Sequence, residues 1–166
     1  MKNHLAEYYE NEQVAAFGLW TQNRFTIKSG KLYRDQIQRL SEKMKTVSGA
    51  KLKIIAAHHP LPVLKPVGTN LEWQSLLSLQ PDLILWGHEH QSSVEYLDPI
   101  HQKGPVLLAA GTGFSSRTRR ESNSYNVIKV FDDRLEIEIW NHSAETNSFQ
   151  LSKTAEFQKN SKQLTT

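Results

Sequence analysis

Apolar residues in the first half of the chain recur at two different spacings. Over residues 31–47 they return every three or four positions, which predicts an amphipathic helix. A second helix is predicted over residues 70–79, because Thr69 and Glu72 form a capping-box pattern ahead of an apolar stretch. The apolar face of the first helix consists of Tyr33, Ile37, Leu40, Met44 and Val47.

Shorter apolar runs, each the length of a strand, lie between and after these helices. Residues 14–20, 52–57 and 83–86 are compact runs that indicate buried strands. In residues 134–140 apolar and acidic side chains alternate, which is typical of a half-exposed arm of a hairpin. The remaining predicted strands are 93–98, 105–110 and 124–131.

The order of these elements predicts the fold class. Strand, helix, strand, helix and strand, followed by a meander of strands, favours an α/β arrangement with antiparallel strands after it. The chain of 166 residues is long enough for one domain with its own core, which we assign to residues 1–142. Residues 1–12 are polar and are predicted to be loose or helical, and residues 143–166 to form a loose polar tail.

Composition narrows the chemistry of this domain. The chain has no cysteine, which excludes disulfides, thiolate metal sites and cysteine nucleophiles, so a metal would be bound by His, Asp, Glu or Asn. The net charge of +3 is compatible with an anionic substrate, but the basic residues are dispersed, which argues against nucleic acid as a partner. No apolar run has the length of a membrane span and no secretory signal is recognisable, so no membrane contact and a cytoplasmic location are expected.

Two histidine clusters carry the candidate chemistry. His58-His59-Pro60 follows the predicted strand 52–57, and Gly87-His88-Glu89-His90 follows the predicted strand 83–86. In open α/β sheets, ligands bind outside the carboxyl ends of the strands, and the imidazole of histidine is a common ligand of transition metals. In an extended segment His88 and His90 would project to the same side, with Glu89 facing away. The clusters therefore predict a metal site built by the fold.

Some of the histidines have simpler interpretations. His59 is interpreted as a hydrogen-bonded core residue, because neighbours in a chain seldom both bind one ion. His4, His101 and His142 stand in polar surroundings and are interpreted as surface residues. Gly87 is expected to let the backbone pass close to the site, or to adopt backbone angles that are barred to other residues.

The stretches KIIAAHHPLP and DLILWGHEH resemble the last two metal-binding motifs of the calcineurin-like metallophosphoesterases, His-x-Pro and Gly-His-x-His. The similarity extends over residues 14–140 and is greatest to the branch that includes bacterial cyclic-nucleotide phosphodiesterases. As a fold, it implies the carboxyl-terminal portion of a four-layer α/β/β/α sandwich with mixed sheets.

The resemblance also implies a metal centre and an activity. It makes His58 and His88 ligands of one divalent ion and His90 a ligand of a second, with Mn, Fe or Zn as candidate metals. A dinuclear centre of this kind hydrolyses phosphodiesters or phosphomonoesters. The implied substrate is a small phosphate ester, with cyclic nucleotides among the candidates, and no catalytic residue other than the ligands is identified.

The other motifs of the family, Asp-x-His, Gly-Asp-x-x-Asp and Gly-Asn-His, are not recognisable in this chain. Two divalent ions about 3.5–4 Å apart repel each other, and three neutral imidazoles do not offset that repulsion. The first hypothesis is therefore a metal-dependent phosphohydrolase seen as a partial chain, with a missing amino-terminal segment as its partner. The alternatives are a catalytically inactive metal-binding or interaction fragment, and a nuclease whose phosphate contacts would come from Arg117, Arg119 and Arg120.

Overall fold

The computed structural model describes residues 7–22, 30–47, 51–61, 71–114 and 121–159. Within them, two strands precede a helix, a strand and a second helix, and six more strands follow. The elements are β1 Tyr8–Glu10, β2 Val14–Leu19, α1 Arg34–Lys45, β3 Leu52–Ala57, α2 Leu71–Ser78, β4 Leu83–Trp86, β5 Ser93–Asp98, β6 Lys103–Ala109, β7 Ser124–Val130, β8 Arg134–Ser143 and β9 Ser148–Gln158.

Nine described strands form two sheets. The larger sheet has the order β1-β2-β3-β4-β6-β5, and its four central strands β2, β3, β4 and β6 are parallel. The edge strands β1 and β5 are antiparallel to their neighbours. The smaller sheet is the antiparallel meander β7-β8-β9. The predicted mixed α/β class is confirmed, although β6 returns to the parallel core of the sheet instead of continuing an antiparallel series.

Apolar side chains on the two faces of the six-stranded sheet build two separate cores. On one face, Phe17, Ile55 and Ile84 pack with the apolar residues of α1 and α2. On the other face, Leu83 and Val106 pack against the three-stranded sheet. The described residues therefore form three layers, helices, sheet and sheet, which correspond to three of the four layers expected.

The two predictions about the ends of the chain are wrong in the described residues. Within 1–12, Tyr8–Glu10 forms β1, which pairs with β2. Within 143–166, β8 continues to Ser143 and β9 covers Ser148–Gln158. The physical reason is the same at both ends, since an edge strand offers unpaired backbone groups that a polar segment can satisfy. Phe157, which is 5% exposed, also anchors β9 in the core between the sheets.

No described helix is long and apolar enough to cross a membrane.

Candidate metal centre

The two histidine clusters meet because their strands are adjacent and parallel. β3 and β4 are paired so that Ala57 lies opposite Trp86, and each strand ends at that level. His58 follows β3 directly, and Gly87 leads from β4 to His88. The backbone N–H of Gly87 donates to the carbonyl oxygen of His58 at 3.1 Å, which ties the two loops together. Both clusters thus emerge at the carboxyl edge of the sheet, as predicted.

Three imidazoles come together at this edge. One ring nitrogen from each of His58, His59 and His88 lies within 4.8 Å of the others. His88 Nδ1 lies 3.1 Å from His58 Nε2. Two nitrogens bound to one tetrahedral zinc ion, each at 2.0–2.1 Å, are about 3.3 Å apart. At 3.1 Å the two imidazole nitrogens are within hydrogen-bond distance of each other, and their separation is also close to that of two nitrogens on one divalent ion.

His59 is part of the cluster and is also a core residue. Its side chain is 3% exposed, and its Nδ1 lies 2.9 Å from Thr21 Oγ1. Its backbone N–H donates to the same oxygen at 3.3 Å. The interpretation of His59 as a hydrogen-bonded core residue is confirmed, but its position beside His58 and His88 was not foreseen. No spacing in the sequence indicates that Thr21, two residues after β2, contacts a residue that follows β3.

The loop after β4 is a tight turn, and the extended segment predicted for it is wrong. His88 and His90 have φ angles of 68° and 61°, in the left-handed region. The backbone N–H of Glu89 donates to the carbonyl oxygen of Gly87 at 2.8 Å, which closes the turn. Histidine is one of the few side chains enriched in this region, and such conformations concentrate at functional sites.

The expectation for Gly87 is met only in part: its backbone does approach the site, through the hydrogen bond to His58, but neither its angles nor its surroundings require glycine. Its φ angle is not positive, and a Cβ placed there would meet only the carbonyl oxygen of His58, at 3.8 Å, which is an ordinary contact. The close approach occurs at Gly30 instead, where a Cβ would lie 2.5 Å from the Cβ of His59. The glycine that the site requires thus comes from the chain before α1.

His90 lies outside the group of three. Its Nδ1 is buried and has no hydrogen-bond partner in the described part of the chain. The assignment of His90 to a second ion stays a prediction.

Partial desolvation, and then the nearby charges of His88 and His90, lower the pKa of His58 below its usual value. A lowered pKa keeps the His58 imidazole neutral near pH 7, the form that binds metal.

The carboxylates of the described residues do not join the histidine group. Asp82 accepts the backbone N–H of Lys53 at 2.8 Å, which holds the start of β4 beside β3. Asp98 lies 2.8 Å from Nδ1 of His101, and both side chains are exposed. The surface interpretation of His101 is confirmed. The metal ligands that the described residues bring to the site are therefore imidazole nitrogens, which suit one divalent ion. They do not include the bridging carboxylate that a dinuclear centre needs.

Other candidate residues lie away from this cluster or outside the described ranges. His142 is half-buried, with its ring centroid 5.4 Å from that of Phe149, so it is less exposed than expected. Outside the described residues lie His4, Arg117, Arg119 and Arg120.

Replacing Gly30 by alanine is expected to destabilise the fold and displace His59. The new Cβ would lie 2.5 Å from the Cβ of His59 and 2.7 Å from its Cγ, neither of which is the mobile end of a side chain. Overpacking of this kind costs about 1–3 kcal/mol, measurable by denaturant unfolding. The control is Gly87→Ala, where the added Cβ has room; an equal loss of stability in the two variants would contradict the account.

The fold and the site together define a mixed α/β protein with a histidine cluster at the carboxyl edge of its parallel strands. No protein-family model and no curated protein matches the chain. Among solved structures, it is similar to Vacuolar Protein Sorting 29 (Vps29) from Cryptosporidium parvum, with 19% identity and a TM-score of 0.47 over 68% of this chain and 55% of that one.

Two further Vps29 structures show a similar likeness. The zinc complex of Vps29 from Entamoeba histolytica has 11% identity and a TM-score of 0.43, over 92% of this chain and 61% of that one. Vps29 from Chaetomium thermophilum has 12% identity and a TM-score of 0.43, over 93% of this chain and 60% of that one. The chain thus spans 55 to 61% of the length of these three structures.

Vps29 has a calcineurin-like metallophosphoesterase fold. With identities below 20% and TM-scores below 0.5, the likeness concerns the arrangement of helices and strands and carries no inference about activity, metal or partner. It gives no support to the cyclic-nucleotide branch in particular.

Proposed function

We propose that this chain contributes the histidine ligands of a metal-dependent phosphohydrolase. The observation that carries the proposal is the 3.1 Å separation of His58 Nε2 and His88 Nδ1, at the carboxyl ends of two adjacent parallel strands. Ligands of open α/β sheets bind at this edge, and two imidazole nitrogens at this separation are suited to one divalent ion. This position supports the proposal, because a substrate would reach a bound metal at this edge of the sheet.

The residues of the site have separable tasks in this proposal. His58 and His88 would hold the ion, and the hydrogen bond from Gly87 to the carbonyl oxygen of His58 fixes the two loops that carry them. A divalent ion supplies Lewis-acid stabilisation of the charge that develops on the phosphate oxygens. The net charge of +3 favours the approach of an anionic ester.

The finer parts of the function are further proposals. They are a second ion on His90, the choice among Mn, Fe and Zn, a cyclic nucleotide as the substrate and a location in the cytoplasm. In the dinuclear form, the carboxylates would come from outside the described histidine group, either from other residues of this chain or from a separate segment. Nδ1 of His90 has no hydrogen-bond partner among the described residues, which supports His90 as a further metal ligand at this site.

A second candidate function is metal binding without catalysis. It is favoured by the histidine group itself, since the described residues bring imidazoles to the site and no carboxylate. Three neutral imidazoles suit one ion better than two, because they do not offset the charge of a second. This candidate shares the metal site of the first and differs from it only in activity.

Hydrolysis assays on the chain distinguish the two candidates. With Mn²⁺ or Zn²⁺ added, the first predicts that the chain, alone or together with a segment that supplies the carboxylates, releases nitrophenol from bis(p-nitrophenyl) phosphate or p-nitrophenyl phosphate. It also predicts that His88→Asn loses this activity. Asparagine is the matched replacement because it tolerates the left-handed backbone that His88 adopts. Metal binding without hydrolysis of either ester, by the chain alone and together with such a segment, would support the second candidate and contradict the first.

A further inference from the structure

We propose that His59 is a third ligand of the ion held by His58 and His88, and that Thr21 keeps its ring in the tautomer that binds metal. This inference rests on the metal-binding part of the proposed function and is independent of hydrolysis. It assigns a ligand role to a residue that the sequence motif leaves variable, and a positioning role to Thr21, which lies two residues after β2.

The three imidazole rings form a triangle with His59 at one corner. Their centroids are 4.6 Å apart for His59 and His88, 4.8 Å for His58 and His59, and 5.0 Å for His58 and His88. The triangle is nearly equilateral, and two of its ring pairs meet edge to face at 85° and 81°. Rings that share one ion surround it at similar distances, so His59 occupies the third position of such a group.

His59 has a hydrogen-bond partner of the kind that orients metal-binding histidines. A metal-binding histidine usually donates its other ring N–H to a nearby acceptor, which fixes both tautomer and orientation. Nδ1 of His59 lies 2.9 Å from Thr21 Oγ1, so Nε2 is the nitrogen through which it would bind. The hydroxyl oxygen has two lone pairs and can accept both this ring N–H and the backbone N–H of His59 at 3.3 Å.

His59 is held in place before any ion binds. The ring is 3% exposed and packs directly against the backbone of Gly30, which has no room for a Cβ. The backbone N–H of Lys31 donates to the carbonyl oxygen of Thr21 at 3.0 Å. The two segments that contact the ring, at Thr21 and at Gly30, are therefore tied to each other. A ligand held this firmly loses little conformational entropy on binding.

Titration with Co²⁺ as the probe tests the inference through affinity. Thr21→Val removes the hydroxyl while keeping the branched shape, and Thr21→Ser keeps the hydroxyl. Because loss of such a partner typically weakens metal binding 10–100-fold, Thr21→Val should raise the Kd for Co²⁺ by roughly that factor, whereas Thr21→Ser should stay close to wild type. Equal affinities of the two variants would overturn the role of Thr21.

Proton NMR of the Co²⁺-loaded chain tests the ligand itself, without altering His59. The inference predicts a contact-shifted ring N–H signal that exchanges slowly in D₂O, since the Nδ1–H of His59 is buried against Thr21. That signal should be lost or exchange faster in Thr21→Val. Co²⁺ binding with no slowly exchanging ring N–H would overturn the His59 ligand but leave His58 and His88 intact. A chain that binds no Co²⁺ would overturn the proposed function as well.

Discussion

Replacement of His88 by asparagine is expected to lower the affinity of the chain for Zn²⁺ about 100-fold or more, a larger loss than removal of an outer hydrogen-bond partner would cause. The change removes the Nδ1 atom that lies 3.1 Å from His58 Nε2, and with it one of the two best-placed ligands. Asparagine accommodates the φ angle of 68°, so the loss reports on the ligand and not on the turn. Calorimetric titration of the metal-free chain with Zn²⁺ measures the effect.

The matched control is His101→Asn. His101 is an exposed histidine paired with Asp98, at the turn between β5 and β6, and it is no part of the histidine cluster. Its replacement should leave the Zn²⁺ affinity of the site unchanged. A similar loss in both variants would mean that Zn²⁺ binds to surface histidines in general, and it would contradict the assigned site.

Truncation of Ile137 to alanine is expected to cost about 2–5 kcal/mol of unfolding free energy. Ile137 lies in β8, is 0% exposed and packs in the core that joins the two sheets. It stands between Ile128 of β7 and Ala155 of β9, so all three strands of the smaller sheet lose contacts with it. Equilibrium unfolding in urea measures the change.

The control for this prediction is Thr154→Ala in the neighbouring strand. Thr154 is exposed and pairs with Glu138 on the outer face of the sheet. A substitution there should cost no more than about 1 kcal/mol, the full range of strand propensity. If Ile137→Ala were equally mild, the smaller sheet would not be docked through this core.

The central elements could be predicted because their hydrophobic patterns are local. β3, β4 and β5 occupy the bounds expected from their apolar runs, and α1 lies within the predicted helix and is shorter at both ends. The position of both histidine clusters at strand ends followed from the same runs. These runs do not show which strands are neighbours in the sheet. In the structure β3 and β4 are adjacent, and this brings His58 and His88 into contact.

The remaining features depend on partners that are distant in sequence. β9 is a polar segment that becomes a strand because β8 offers it a full edge and the inter-sheet core accepts Phe157. β1 forms for the same reason beside β2. The left-handed turn at His88 replaces the extended segment that alternation favoured. The contact of Thr21 with His59 joins the segments that follow β2 and β3. The spacing of apolar residues within one segment carries no information about such contacts with distant segments.

Anomalous diffraction from crystals of the Zn²⁺-loaded chain tests the central claim most directly. The account predicts one strong zinc peak at the carboxyl ends of β3 and β4, with His58 Nε2, His88 Nδ1 and a ring nitrogen of His59 as its protein ligands. A zinc peak at another group of residues, or none at this edge of the sheet, would contradict it.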